Sequence, residues 1–218
     1  VSMPRLAGLL SDESLERYKV LFTKLFNVLI LLIVPCVVGL LVVGKNAIII
    51  FAGMRYEQAG AILQILAFAV PASILGSFVA SAGLVLFGKE LLILKATIVA
   101  AILNIVLNLL LIPYVGVSAA AMTTVLSEYV AFFIEYRGLQ EKKIVGDIRK
   151  NTIQTGVASA IMGVVCWGIQ RLLGSFLIIG TVCSVMAGAV MYAILLHWQK
   201  NDLFDELYVN MKTKILRK

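Results

Sequence analysis

The chain has 218 residues, 61% of them hydrophobic and only 14% charged, with a net charge of +7 and a mean hydropathy of +1.00. So few charges cannot cover a soluble domain of this size, and apolar blocks near the ~20 residues that cross hydrocarbon recur along its length. This excludes a membrane β-barrel, whose strands would alternate over ~10 residues, and it excludes nucleic acid as a partner, because the basic residues lie between the blocks rather than in a stripe with interleaved aromatics.

Residues 1–24 read as an interfacial segment on the cytoplasmic side. The opening VSMPRLAGLL lacks a basic stretch ahead of a cleavable apolar one, so it is not a signal peptide. Beginning at Val1 rather than Met, the sequence reads as starting inside a longer protein. Ser11-Asp12-Glu13 reads as an acidic helix start, and Leu15, Tyr18, Lys19 and Phe22 lead into the first span.

Six apolar runs follow, at 25–43, 61–87, 91–112, 117–136, 152–173 and 176–198. The expected fold class is an all-α polytopic membrane protein with six transmembrane helices. Residues 25–136 hold four of them, 137–150 form a basic loop, 151–198 hold two more, and 199–218 form an amphipathic basic tail. Of the 19 Lys and Arg residues, all but Lys45, Arg55 and Arg171 fall on one side if every run spans. That asymmetry places both ends of the segment in the cytoplasm.

Pro35 and Pro71 each free a backbone carbonyl where their span can bend, and bent helices suit a transporter that rocks between states without being specific to one. In the second run Ser73, Ser77 and Ser81 share one stripe and Ala72, Gly76 and Ala80 the next, together a close-packing surface. Gly156 with Ala160, and Gly180, Ser184 and Gly188, read as packing stripes of the fifth and sixth runs. His197-Trp198 reads as an interfacial anchor. In the tail, Leu203, Phe204, Leu207, Tyr208 and Met211 share a face that would lie on the cytoplasmic leaflet, the alternative being a frayed end.

The hairpin of the third and fourth runs carries the most informative polar residues. Pro113-Tyr114-Val115-Gly116 is turn chemistry, so the third and fourth runs form an antiparallel pair with its tip outside. Counted from that tip at about 1.5 Å per residue, Asn104 and Glu128 lie at one depth, and Asn108 lies near Thr123 and Thr124. Spacings of four put Ala100, Asn104 and Asn108 on one stripe, and Ala120, Thr124 and Glu128 on a stripe of the partner. Two readings stand. The amides and hydroxyls bond across the helix pair, contributing ~0.6 kcal/mol each, or the stripe lines a hydrated cavity, which an intramembrane carboxylate such as Glu128 favours. Lys95 lies nine residues before Asn104, about 180° around the helix. It either snorkels to the headgroups or meets an anionic headgroup in a cavity.

Cys36, Cys166 and Cys183 sit within apolar runs with no C-x-x-C, as neither disulfides nor metal ligands. No nucleophile triad, phosphate loop or zinc pair is present, so neither an enzyme nor a cofactor is expected.

Several stretches together resemble the C-terminal half of polysaccharide-repeat-unit flippases (O-antigen and capsule type, Wzx-like) of the multidrug/oligosaccharidyl-lipid/polysaccharide exporter superfamily. Pro4-Arg5-Leu6 is similar to the P-R-L that closes an earlier span in that family. The stretch from Ile48 through Phe51, Gly53, Tyr56 and Ala59 is similar to its F-x-G-x-x-Y-x-x-A segment. Asn104 and Asn108 through Pro113, Gly116 and Ala119-Ala120 are similar to its asparagine–proline–glycine pattern, with Ser118 where glycine is usual. The resemblance covers about residues 1–197. It implies the second lobe of a two-lobe exporter fold plus two extra helices, with a preceding N-terminal lobe in the same protein, in the bacterial inner membrane. It further implies alternating-access translocation of a lipid-linked oligosaccharide on undecaprenyl pyrophosphate for cell-surface polysaccharide biosynthesis, with a polysaccharide polymerase and membrane lipids as partners, and a groove for the lipid tail beside the fifth and sixth runs. The substrate-binding candidates are Asn104, Asn108, Glu128, Lys95 and Arg55. The competing expectations are a cation-coupled multidrug exporter, a peptidoglycan-precursor flippase and a non-transporting six-span scaffold.

Overall fold

A computed structural model describes residues 2–11, 14–173 and 176–216. The chain is an all-α polytopic membrane protein: among the described residues there are no strands, and six helices are long and apolar enough to span. A short α1 (Ser2–Ser11) precedes α2 (Leu15–Ala52). A 3-10 turn (Met54–Tyr56) leads to α3 (Glu57–Ala67) and α4 (Ala69–Phe78), which continues through a π-helical segment (Val79–Leu84) and a 3-10 turn (Val85–Phe87). Then come α5 (Glu90–Val115), α6 (Val117–Gln140), α7 (Arg149–Leu172), α8 (Leu177–Trp198) and α9 (Asp202–Leu216).

Several boundaries differ from the sequence-based expectation for physical reasons. The first span is no 19-residue block. α2 runs unbroken over 38 residues, about 57 Å, through Pro35. It therefore exceeds a ~30 Å hydrocarbon layer, and much of the expected interfacial segment is its first turns. The second run is broken rather than bent. Pro71 has no N–H for the Ala67 carbonyl, and its ring crowds that carbonyl, so the helix stops at Ala67 and restarts at Ala69. Phe68 N–H turns back to the Ile65 carbonyl at 3.1 Å. The expected four-residue turn at 113–116 shrinks to Gly116, whose φ of +73° makes the reversal, while Pro113 stays in the last turn of α5. The proposed acidic start at Asp12-Glu13, Val1, and the side chains of Pro4 and Arg5 lie outside the described residues. So do the side chains of Met211, Lys212, Lys214, Arg217 and Lys218.

Packing follows the apolar and small faces. Tyr18, Phe22 and Phe26 of α2 form an aromatic seam with Phe78 and Tyr136, the Phe22 and Phe78 rings lying 4.7 Å apart. The Tyr18 hydroxyl donates to the Ala82 carbonyl inside the π-helical segment, where the backbone register is interrupted. α7 packs on α8 as the Gly180–Ser184–Gly188 stripe leads one to expect: Ser184 Oγ donates to the Cys166 carbonyl at 3.3 Å, and a Cβ at Gly188 would fall 2.4 Å from Cys166 Sγ. The Gly156–Ala160 expectation fails. Ala160 is exposed, and a Cβ at Gly156 would meet nothing within 4 Å. The buried stripe of α7 is instead Thr155, Ala158, Ser159, Met162 and Cys166.

One end of the bundle gathers the start of α2, the turn into α5, the 141–148 loop and α9. There Lys89 Nζ reaches Glu141 Oε2 at 2.6 Å and the Gly138 carbonyl at 2.9 Å. The hydrogen bond from Lys89, then its charge, holds the Glu141 carboxyl below the usual carboxylate range. The pair therefore contributes stability above the ordinary carboxylate pKa and loses it as pH falls through the lowered one. Glu141→Gln is expected to lower the unfolding midpoint slightly at neutral pH and not at all in acid, measured by paired denaturation curves.

α9 is a helix rather than a frayed end, and its apolar face is partly spent on the bundle. Phe204 and Leu207 pack against Leu31, Ala158 and Leu196, leaving Tyr208 and Val209 exposed. His197 is exposed and pairs with Asp205 of α9 at 2.8 Å, which makes it a brace between α8 and α9.

Candidate functional site

The broken second span leaves α4 packed on α6 while α5, held chiefly by α6, stands at the edge of the bundle. Ala96 is the one buried residue of α5, and its other faces carry exposed Leu, Ile and Val. Between α4, α5 and α6 lies an open cleft of about 430 Å³. It lies between helices otherwise built of apolar residues yet is lined by hydroxyls, an amide and two carboxylates: Ser73 and Ser77 from α4, Thr97 and Asn104 from α5, and Thr124, Ser127, Glu128 and Glu135 from α6.

The small residues of α4 make this geometry. Ala72 and Gly76 are buried against α6, as expected, and a Cβ at Gly76 would lie 3.4 Å from Glu135 Oε2. The carboxylate therefore rests against the Gly76 position at van der Waals distance. The serine stripe does not pack between helices: Ser73, Ser77 and Ser81 are exposed, and the first two face the cleft.

Asn104 and Glu128 line the same cleft, at the common depth that counting from Gly116 requires. Asn108 is absent from its lining and ties the hairpin together instead. Asn108 Nδ2 donates to Asn104 Oδ1 at 2.9 Å, and Thr123 Oγ1 donates to Asn108 Oδ1 at 2.7 Å. The two sequence readings thus divide between the asparagines: Asn108 serves the helix pair, and Asn104 faces the cleft while accepting from Asn108. Because Thr123 is buried and bridges α6 to α5, Thr123→Val is expected to weaken the hairpin by roughly 0.6–1.7 kcal/mol, measured by unfolding in mixed micelles. An unchanged midpoint would show the bond to contribute nothing.

Lys95 and Arg55 do not join this group. Lys95 is exposed on α5, about 200° around the helix from the cleft-lining Thr97, and Arg55 is exposed in the turn after α2. No Lys or Arg lines the cleft among the described residues, so its charged lining is wholly acidic.

Sequence reading missed Glu135. Only 6% of its surface is exposed, and it has no hydrogen-bond or ion-pair partner among the described residues. The signal was present: Glu135 follows Glu128 by seven residues, two turns, which returns it to the same face. Also missed is a buried amide network at the α9 end of the bundle. Asn151 Nδ2 donates to the Asn27 carbonyl at 2.9 Å. Asn201 Nδ2 donates to Asn151 Oδ1 at 3.1 Å and to Gln154 Oε1 at 2.8 Å, and Asn201 Oδ1 accepts from Phe204 N–H at 3.1 Å. Its members are scattered over three segments, so no local spacing announces it.

The described residues contain no group of three or more His, Cys, Asp or Glu able to hold a metal ion. The chain matches no known protein-family profile and no curated protein.

Proposed function

We propose that this chain is the C-terminal part of a bacterial inner-membrane transporter that moves a lipid-linked oligosaccharide across the bilayer by alternating access, with both ends of the segment cytoplasmic. The observation that carries this reading is the polar cleft between α4, α5 and α6, within helices otherwise built for hydrocarbon. Hydroxyls, an amide and carboxylates are the groups that replace water around sugar hydroxyls, and a sugar cannot cross ~30 Å of hydrocarbon without such replacement. The break at Phe68 and the π-helical segment beyond it interrupt the wall that would have to move. The asparagine–proline–glycine resemblance points the same way. In this reading the phosphates are met outside the cleft, by basic groups at the membrane surfaces or in a preceding N-terminal lobe.

The test is translocation by the intact protein in proteoliposomes, using a fluorescent oligosaccharide on undecaprenyl pyrophosphate and an impermeant quencher. Protein-dependent crossing is the expected result. A specific observation favours a second reading, a cation-coupled exporter: among the described residues, the charged ones lining the cleft are Glu128 and Glu135. No crossing of the lipid, together with export of a cationic dye driven by a sodium or proton gradient, would establish that reading instead. Failure of both would leave a six-span scaffold. Orientation is checked separately with Tyr114→Cys, which lies beside the tip of the α5–α6 hairpin and is 88% exposed as tyrosine. It is expected to react with an impermeant maleimide from outside intact cells, and labelling only after lysis would reverse the topology.

A further inference from the structure

We propose that the cleft between α4, α5 and α6 is a site for an ammonium-bearing group, so that the sugar portion it accepts carries at least one free amine. This rests on the reading that the transported molecule enters this cleft.

Four observations carry it. The first is the sign of the charge: Glu128 and Glu135 are the charged residues of the lining, and no cation of the chain faces them among the described residues. The second is the isolation of Glu135. A carboxylate with 6% of its surface exposed and no hydrogen-bond or ion-pair partner among the described residues is short of compensation, and a bound cation supplies it. Its Oε2 lies beside Gly76, 3.4 Å from where a Cβ would stand.

The third is the size and donor set. A volume of about 430 Å³ leaves room for an organic group. Among the described residues no group of three or more His, Cys, Asp or Glu stands ready to hold a metal ion. An ammonium group brings its own three donors and needs only acceptors. Two carboxylates and the hydroxyls of Ser73, Ser77 and Thr97 are such acceptors. The fourth is the wall: Phe132 lines the cleft between the two glutamates, and an aromatic face attracts a desolvated cation. Glu128 and Glu135 stand about 10 Å apart along α6, so a ligand touching both is extended over more than one small ring.

The test is calorimetric titration of the intact protein in nanodiscs, at neutral pH, with three probes: the β-1,4-linked glucosamine disaccharide, its N-acetylated form and cellobiose. The amine is expected to bind at least about tenfold more tightly than the other two. Glu135→Gln, close to isosteric, is expected to bring all three to similar affinity. The N-acetylated probe removes the charge without touching the protein, so the comparison survives a variant that fails to fold. Equal binding of all three to the wild type would overturn the ammonium assignment and leave the cleft a sugar site. Heat from sodium chloride but not choline chloride, lost in Glu135→Gln, with no sugar bound, would make it an inorganic-ion site and overturn the inference. No binding of any probe would overturn it together with the placement of the transported molecule in this cleft.

Discussion

Replacing Asn151 with leucine is expected to release α9 from the bundle. Asn151 stands in the third position of α7 and is 8% exposed. Its amide does two things at once: Nδ2 satisfies the Asn27 carbonyl of α2, and Oδ1 accepts from Asn201, the residue that caps α9 through Phe204 N–H. Leucine is similar in size and removes both. Asn201, 2% exposed, keeps only Gln154 as a side-chain partner, and the Asn27 carbonyl loses its side-chain donor. Leaving buried polar groups short of partners costs about 1–3 kcal/mol each, so the summed loss is several times that of an exposed ion pair. The ion pairs that flank the network, Lys150–Asp202 and His197–Asp205, are exposed and cannot hold α9 alone. Hydrogen exchange is the direct measurement. Amides of α9 should lose protection while those of α5 and α6 keep theirs. Retained protection over 202–209 would show that the Phe204 and Leu207 contacts suffice without the amides.

The network also marks where sequence reading ends. The spans were legible because twenty-odd apolar residues have few alternatives to a membrane helix, and the number of spans was legible because basic residues cluster between alternate runs. The α5–α6 hairpin was legible to the level of single residues. One turn glycine and a fixed rise per residue suffice to pair Asn108 with Thr123 and to bring Asn104 and Glu128 to one depth. Distances across three segments carry no such ruler. Asn27, Asn151 and Asn201 are separated by more than a hundred and by fifty residues, and each alone resembles an ordinary polar residue at a helix end. The cleft was half legible for a related reason. The α6 face could be read by periodicity, yet whether the serines or the alanines of α4 faced it depended on how the break before Pro71 rotates that helix. Glu135 could have been placed by the same two-turn spacing that placed Glu128, but its lack of a partner is a property of everything around it.

The glycines show the same limit and support a paired test. In a membrane helix, a glycine reads as a packing residue wherever small residues recur at intervals of four, and Gly156 with Ala160 satisfies that pattern. Gly60 has no such stripe around it. The structure reverses the order. A Cβ at Gly60 would stand 2.8 Å from Lys45 Cα and 3.1 Å from its Cβ, so the obstacle is the backbone of α2, which cannot swing aside as a side chain can. At Gly156 the added carbon meets nothing within 4 Å. Gly60→Val is therefore expected to push α3 off α2, to break the 2.7 Å pairing of Lys45 with Glu57, and to cost about 3 kcal/mol or more. Gly156→Val is expected to cost far less, within about 1 kcal/mol of the wild type, because the added carbon enters open space. Unfolding midpoints of the two variants in mixed micelles decide the matter. If Gly156→Val proved the more damaging, α7 would have to be rotated so that the Gly156–Ala160 face, rather than the Thr155–Ser159–Met162 face, meets its neighbours, and the buried amide at Asn151 would turn outward with it.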